Sequence, residues 1–511
     1  MLVYQSLIAA LLLFAVPVRA ATYIVDPLGD DTNAGTSAAP WRTIQYAVSQ
    51  AAAGDTMSIR AGTYVESVYL DHGGTEGNPL ALIAAPGAVL ISPDPAASTE
   101  AISTAPGVGF ITLTGIEATG GFDETIFLRS GAHDVRIAGC NLHHNHTGIV
   151  TDSAYNLTVE GCALHDNFGS GLRLAGTTHD VVVRDTDSFR NADGPGCSSL
   201  VDGFATEPST TGITFTNVRA DDNGGDGFDL QGDQIVLNAI ESTGNACTGI
   251  KLWQNAAVRN CLVAGNARGV GVTSWFGGSN VSIVNCTVTA NAGVGLDLAL
   301  PHIAGTGYTA SVLNSIIAGD YKAIQFVSAA SFSESHNLLF RTSLYDPVIT
   351  RVGGRGYSDH DVNTARWARA SGQGAGTLAV DPLFVDPAHG NFRVQPSSAA
   401  VGSGQDVGNT GALVNIGMYQ QPEGPTNHAP WADPGRDRRG HINSKLRFHA
   451  TGSGDPDGTP LTYSWDFGDG SASVDGFSAS HIYRASGTYT VVLIVFDGAL
   501  AGSSTCRVVI P

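Results

Sequence analysis

Lysine is almost missing from this chain: Lys251, Lys322 and Lys445 are the only three, and every other permanently basic residue is arginine. Charged residues make up only 14% of the sequence, and no long stretch rich in Ala, Glu, Lys, Leu and Arg occurs. That excludes a coiled coil or helix bundle. Beyond residue 20 no apolar run reaches membrane-spanning length, so no membrane span is expected and the mature chain is expected to be soluble. Basic charge is scarce too. The formal net charge of -20 excludes a general nucleic-acid or anionic-membrane surface. What is abundant is glycine, 64 residues in 511, which points to a turn-rich all-β protein of two or three domains.

The one marked apolar run, Leu7 to Val16, ends in Val18-Arg19-Ala20. It reads as a secretory signal, residues 1–20, cleaved before Ala21 to release a secreted chain, extracellular or periplasmic. In an exported protein seven cysteines suggest disulfides, yet Cys140, Cys162, Cys261 and Cys286 fall on one position of a repeat. A buried, stacked set of thiols is the preferred reading for those four. Cys197 and Cys247 sit in loops and are candidates for a bridge.

From Trp41 to Ala53 the apolar residues Ile44, Ala47, Val48 and Ala51 have helical spacing, which predicts a single helix capping the open end of a repeat. The repeat becomes explicit from about residue 110. Segments such as VRIAGCNLHHN, LTVEGCALHDN and VSIVNCTVTAN end at Asn145, Asn167, Asn191, Asn223, Asn245, Asn266 and Asn291, in steps of 22, 24, 32, 22, 21 and 25 residues. Short alternating strands with an asparagine at each corner and a period near 22 indicate a parallel β-helix. Its asparagines are expected to form an inward ladder.

Stacking turns spacing into distance, because equivalent positions on successive coils lie ~4.8 Å apart. One outward column is predicted to run Val150, Arg173, Ala205, Asp229, Lys251, Gly271, Asp297, and a second Ser170, Asp202, Asp226, Thr248, Arg268. Asp202, Asp226, Asp229, Lys251 and Arg268 should therefore converge, beside the loop DGPGCSSLV that lengthens one step to 32 residues. Carboxylates on an outward face without a His/Cys cluster suit a hard cation with oxygen ligands, calcium in the first place. Lysine, unlike arginine, can lose its proton, so Lys251 among carboxylates suggests a general base. Calcium held by Asp202, Asp226 and Asp229 would acidify the carbon next to a substrate carboxylate, Lys251 would take its proton, and the neighbouring glycosidic oxygen would leave. Arg268 is a candidate for binding a uronate carboxylate, and Trp253 and Trp275 for stacking on a sugar ring. The competing readings are turn chemistry for each Asp-Gly, an ion pair to Asp229 for Lys251, and packing for the tryptophans.

The phrases VDGFA, NGGDGFDL and TGIKLW, in this order on successive coils, resemble polysaccharide lyase family 9. That resemblance implies a right-handed parallel β-helix, calcium bound by Asp202, Asp226 and Asp229, Lys251 as the base, and an acidic polysaccharide as substrate. The family has two adjacent aspartates where this chain has Gly225-Asp226, so Asp222, Asp233 or water would have to replace one ligand. YSWDFGDGS and SGTYTVVLIVFDG resemble a PKD domain, an immunoglobulin-like β-sandwich. The expected organisation is a β-helix over 21–420, a linker over 421–426 and the PKD-like sandwich over 427–511, acting as a monomer. A lyase or epimerase on another uronic-acid polymer such as alginate, and a non-catalytic polysaccharide-binding β-helix or adhesin, are the alternatives.

Overall fold

A computed structural model describes residues 20–511 apart from 94–98, 195, 198–200, 274–278, 299–307, 320, 327–330, 342–346, 352–355, 407–414, 420–428, 436, 456–460 and 499. The signal segment up to residue 19, the linker 421–426, Trp275 and part of the DGPGCSSLV loop therefore lie outside the described residues.

The chain divides into two compact units, one of residues 1–381 with 402–418 and one of 382–401 with 419–511. In the first unit each coil contributes three strands, for example Thr147–Asp152, Tyr155–Glu160 and Ala163–His165, and each strand pairs in parallel with its counterpart on the next coil. The corners follow from backbone chemistry. Between the second and third strands a column of residues adopts positive φ, including Gly139, Gly161, Asp185, Asn217, Asn260 and Asn285. Glycine, asparagine and aspartate tolerate that conformation best, which is why the period is written in those residues.

Inside, the expected asparagine ladder is present. The backbone N–H of Asn145 donates to Asn167 Oδ1 at 3.1 Å, and Asn167 to Asn191, Asn191 to Asn223, Asn223 to Asn245, Asn245 to Asn266 and Asn266 to Asn291 repeat the bond at 2.9–3.2 Å. All seven are buried. Burying so many amides is tolerable only because each is hydrogen-bonded. The four thiols Cys140, Cys162, Cys261 and Cys286 are free and buried, but as two stacked pairs: Thr186, Val218 and Ile240 fill the same column between them.

The N-terminal helix α1 spans Ile44–Gln50, shorter than the spacing suggests, with Thr43 as its cap and Ile44, Ala47 and Val48 buried. Glu66 receives the N–H groups of Ile44 and Gln45, two donors that a helix start leaves without partners. At the other end the parallel strands stop at Ile349–Arg351, followed by helices α2, Asp359–Asn363, and α3, Arg366–Ser371. The buried Glu334 carboxylate anchors this segment by accepting from Trp367 Nε1 at 2.7 Å and Thr377 Oγ1 at 2.5 Å. The coils thus end well before residue 420. Residues 382–401 depart from them because Pro387 and Gly390 turn the chain back, so that Phe384–Asp386 pairs antiparallel with Asn391–Val394.

The C-terminal unit contains a mainly antiparallel sandwich. Lys445–His449 pairs with Ser478–Ile482, while Thr462–Asp466, Gly487–Phe496 and Ala501–Ile510 form the larger sheet. Val491, Leu493 and Val495 point inward with Trp465, Phe448, Phe467 and Tyr483, as their alternation predicts.

Candidate active site

Five successive strands of a 13-stranded sheet, parallel to one another, carry or adjoin the site: β1, Leu172–Ala175; β2, Phe204–Thr206; β3, Phe228–Leu230; β4, Thr248–Leu252; and β5, Arg268–Val272. Their register aligns Val150, Arg173, Ala205, Asp229, Lys251, Gly271 and Asp297 in one column, as expected. Behind it the core residues Leu172, Phe204, Phe228, Ile250 and Val270 alternate inward, and Phe204 stacks on Phe228 with centroids 5.0 Å apart. That packed layer fixes where the outward side chains begin.

The second column is held by the carboxylates themselves. Asp226 donates its N–H to Asp202 Oδ1 at 2.7 Å, and Thr248 donates its N–H to Asp226 Oδ1 at 2.6 Å. Asp226 then presents Oδ2 to Lys251 Nζ at 3.2 Å, and Asp229 presents Oδ2 to the same ammonium at 3.5 Å. Asp229 Oδ1 accepts from Trp253 Nε1 at 2.5 Å, and Lys251 Nζ lies 4.9 Å from the centre of the Trp253 ring. Gln231 donates weakly to Asp229 Oδ2 at 3.4 Å.

Three carboxylates, each less than 8% exposed, thus face a single ammonium. Burial and the charges of Asp226 and Asp229 push Asp202 well above the usual carboxylate range. Burial also raises Asp229, against the pull of Lys251. For Lys251 burial favours the neutral amine, but Asp226 and Asp229 outweigh it and hold the ammonium above its ordinary value. Among the described residues no group of three His, Cys, Asp or Glu side chains forms a ready metal cage. Asp202 and Asp226 each spend one oxygen on a backbone N–H, and the lysine fills the point on which Asp226 Oδ2 and Asp229 Oδ2 converge.

The structure brings Asp202, Asp226, Asp229, Lys251 and Trp253 together. Arg268 pairs with Thr248 one strand further along, on an exposed position, and stands beside the cluster rather than in it. Trp253 enters as a hydrogen-bonding support for Asp229, which the spacing did not reveal. The two suggested replacement ligands have surroundings of their own. Asp222 occupies a positive-φ corner below Gly244, and Asp233 accepts from Asn255 Nδ2 at 2.7 Å in an outer turn. Cys197 and Cys247 are joined, with Cα atoms 5.0 Å apart. The bridge ties the lengthened loop to the coil of Lys251, because Cys247 donates its N–H to Gly225 O at 3.0 Å and immediately precedes Thr248.

Residues 23–298 match the family model described as "Pel9A-like, right handed beta helix region", and residues 427–510 match that of the PKD domain. The chain is 28% identical over 253 residues to pectate lyase PEL9 of Emericella nidulans, which covers 49% of this chain and 58% of that one. The chain therefore spans little more than half of that curated relative. A solved structure of pectate lyase Pel9A aligns with 79% of this chain and 96% of its own, at 18% identity and a TM-score of 0.47. The chain is also 40% identical over 58 residues to collagenase ColA of Bacillus cereus, which covers 11% of this chain and 6% of that one. With its family match running over more than half of its length, the chain belongs to the Pel9A-like right-handed parallel β-helix family and carries a PKD domain at its C-terminal end.

Proposed function

We propose that the protein is a secreted, calcium-dependent polysaccharide lyase that cleaves pectate or a closely related polyuronate by β-elimination, with Lys251 as the general base. The observation that carries this reading is the convergence of Asp226 Oδ2 and Asp229 Oδ2 on the Lys251 ammonium, with Asp202 on the adjoining coil accepting from the Asp226 N–H.

The donor set fits calcium. Two carboxylate oxygens already hold one positive charge, three buried carboxylates exceed what one lysine neutralises, and all are the hard oxygen donors this ion takes, with water and substrate completing its shell. Bound by Asp202, Asp226 and Asp229, calcium would supply positive charge to a substrate carboxylate and so acidify the adjacent carbon. Lys251 is charged while Asp226 and Asp229 face it unengaged. With Asp226, Asp229 and Asp202 all engaged elsewhere, the charges that raise the ammonium are offset, and burial then favours the free amine. The Nζ lone pair then takes the proton from the carbon beside the carboxylate. The C–H electrons form the new carbon–carbon double bond, the glycosidic C–O bond breaks, and the departing oxygen takes a proton from water. Trp253 keeps Asp229 oriented through its Nε1 bond.

Secretion belongs to the same reading and rests on the apolar segment Leu7 to Val16. Among the described residues no helix is long and apolar enough to cross a membrane. A second reading, polyuronate binding without turnover, draws on the ammonium that Asp226 and Asp229 stabilise. The two separate in one assay: ultraviolet absorbance of unsaturated products on pectate, alginate and other polyuronates, with calcium and with chelator. Calcium-dependent product on pectate is expected. Retention of a polyuronate without product under any condition rejects the lyase.

A further inference from the structure

One residue of the site column has drawn no role so far, Arg173, together with Glu207, its ion-pair partner just past the strand of Ala205. Arg173 lies on β1 in register with Ala205, Asp229 and Lys251, two strands before Asp229 and three before Lys251. At one strand spacing per step it stands about 10 Å from the first and about 14 Å from the second. Its side chain is 55% exposed, whereas its strand neighbours Leu172 and Leu174 are buried, so the guanidinium rises from the same face as the carboxylates. Between Arg173 and Asp229 stands Ala205, and beyond Lys251 stands Gly271. These are the two smallest side chains available, and they leave the column open on either side of the cluster.

Glu207 positions this arginine. One of its oxygens accepts from Arg173 Nη2 at 2.5 Å, while the other accepts from the Gly176 N–H at 3.2 Å. A guanidinium carries five N–H donors in a planar fork, so one bond to Glu207 leaves a donor edge for a second carboxylate. An ion pair this exposed contributes little stability, which makes a purely structural role a weak explanation for it.

We propose that Arg173 is a specificity-determining residue that binds a uronate carboxylate several sugar units away from the scissile bond. The substrate chain accordingly runs along the column, across the strands, from Arg173 over Ala205 to Lys251. Arg268, one strand beyond Lys251, brackets the cluster on the opposite side. A span of about 10–14 Å corresponds to a few pyranose units rather than one. This inference rests on the lyase reading and adds to it the direction of the polymer and a distant anionic subsite.

The test compares Arg173→Ala with Arg184→Ala in the full-length chain. Arg184 is a similarly exposed arginine, paired with Glu160 on the neighbouring sheet, and serves as a control for net charge. With calcium saturating, Arg173→Ala should raise KM for polygalacturonate about tenfold or more with little change in kcat, as loss of a charged hydrogen bond made at a distance from the reacting atoms would. The increase should shrink as the oligogalacturonate is shortened, Arg173→Lys should recover part of it, and Arg184→Ala should leave KM unchanged. Equal shifts for the two alanine variants, or an unchanged KM for Arg173→Ala, overturn the proposal. A readout free of turnover keeps the two ideas apart. In a Lys251→Ala background, polygalacturonate retention on affinity electrophoresis should fall further on Arg173→Ala. If the parent forms no product from any polyuronate, the lyase reading fails; retention that depends on Arg173 would still support the subsite, and retention that does not would remove it.

Discussion

Among residues, Lys251 has the most specific expectations attached to it. Loss of a positioned base costs ~10²–10⁴-fold in rate, so Lys251→Ala should lose nearly all elimination while keeping its fold. Lys251→Arg should be almost as inactive, since a guanidinium stays protonated near neutral pH. An ion-pair role alone predicts the reverse order, with arginine tolerated, and steady-state rates in saturating calcium decide between them. Asp202 supplies a second test. Its carboxyl is raised above the unfolded value of 3.8, so the native state binds protons more tightly than the unfolded one. Its charge therefore burdens the metal-free fold at neutral pH, and the burden eases as pH falls through the raised value. Asp202→Asn keeps an acceptor for the Asp226 N–H and removes the charge. In chelator it should melt above the parent, and in excess calcium the order should reverse; a lower melting point in chelator would show that Asp202 is not under strain from its neighbours. Lys251 has the opposite linkage. Its contribution to stability is full below 10.5 and should be lost as alkaline pH rises through the folded value, which thermal melts in chelator would follow.

At the level of elements, the asparagine ladder should behave as a chain of local contributions. Asn223 donates from Nδ2 to Ser188 O and Asn245 Oδ1 and accepts the Asn191 N–H, each bond between 2.9 and 3.2 Å. Asn223→Ala leaves buried partners unsatisfied and should lower the local opening free energy by about 2–3 kcal/mol. Hydrogen exchange should show this in the coils of Asn191, Asn223 and Asn245 and much less near Asn291. These columns were legible in the sequence because a coil period converts directly into neighbours. Reading the spacing sufficed for Asn145 through Asn291 and for Arg173, Asp229 and Lys251. It did not suffice for Trp253, whose bond to Asp229 depends on a rotamer, nor for Asp222, which occupies a corner of positive φ that aspartate tolerates. The Cys197–Cys247 bridge was one of two open readings, since sequence separation says nothing of how an inserted loop folds back. Past Arg351 the period is lost, and proline and glycine turn the chain into a hairpin that the repeat could not foretell.

For the whole molecule the division of labour is simple. Asp202, Asp226, Asp229, Lys251 and Arg173 all lie in the first compact unit. A chain ending at Gln421 should therefore keep turnover of short soluble substrate within about twofold, a small change on the scale set by loss of a general base. Loss of that turnover from a folded truncation would assign the C-terminal unit a part in catalysis. The disulfide matters on this scale as well. Breaking it with Cys197→Ser and Cys247→Ser should cost about 2–4 kcal/mol, measurable as a lower thermal midpoint that reducing agent no longer changes. A solenoid whose coils touch only their neighbours unravels from its two ends inward. The bond between Cys197 and Cys247 encloses Asp202, Asp226 and Asp229 and leaves Lys251 just outside, so a peel advancing from either terminus meets a covalent stop at the three aspartates. In surroundings rich in proteases, loss of coils from the N-terminal side should spare the proposed site until the clasp itself is cut, whereas loss from the C-terminal side reaches Lys251 first, so the useful lifetime of the site would be set by the coils that follow it.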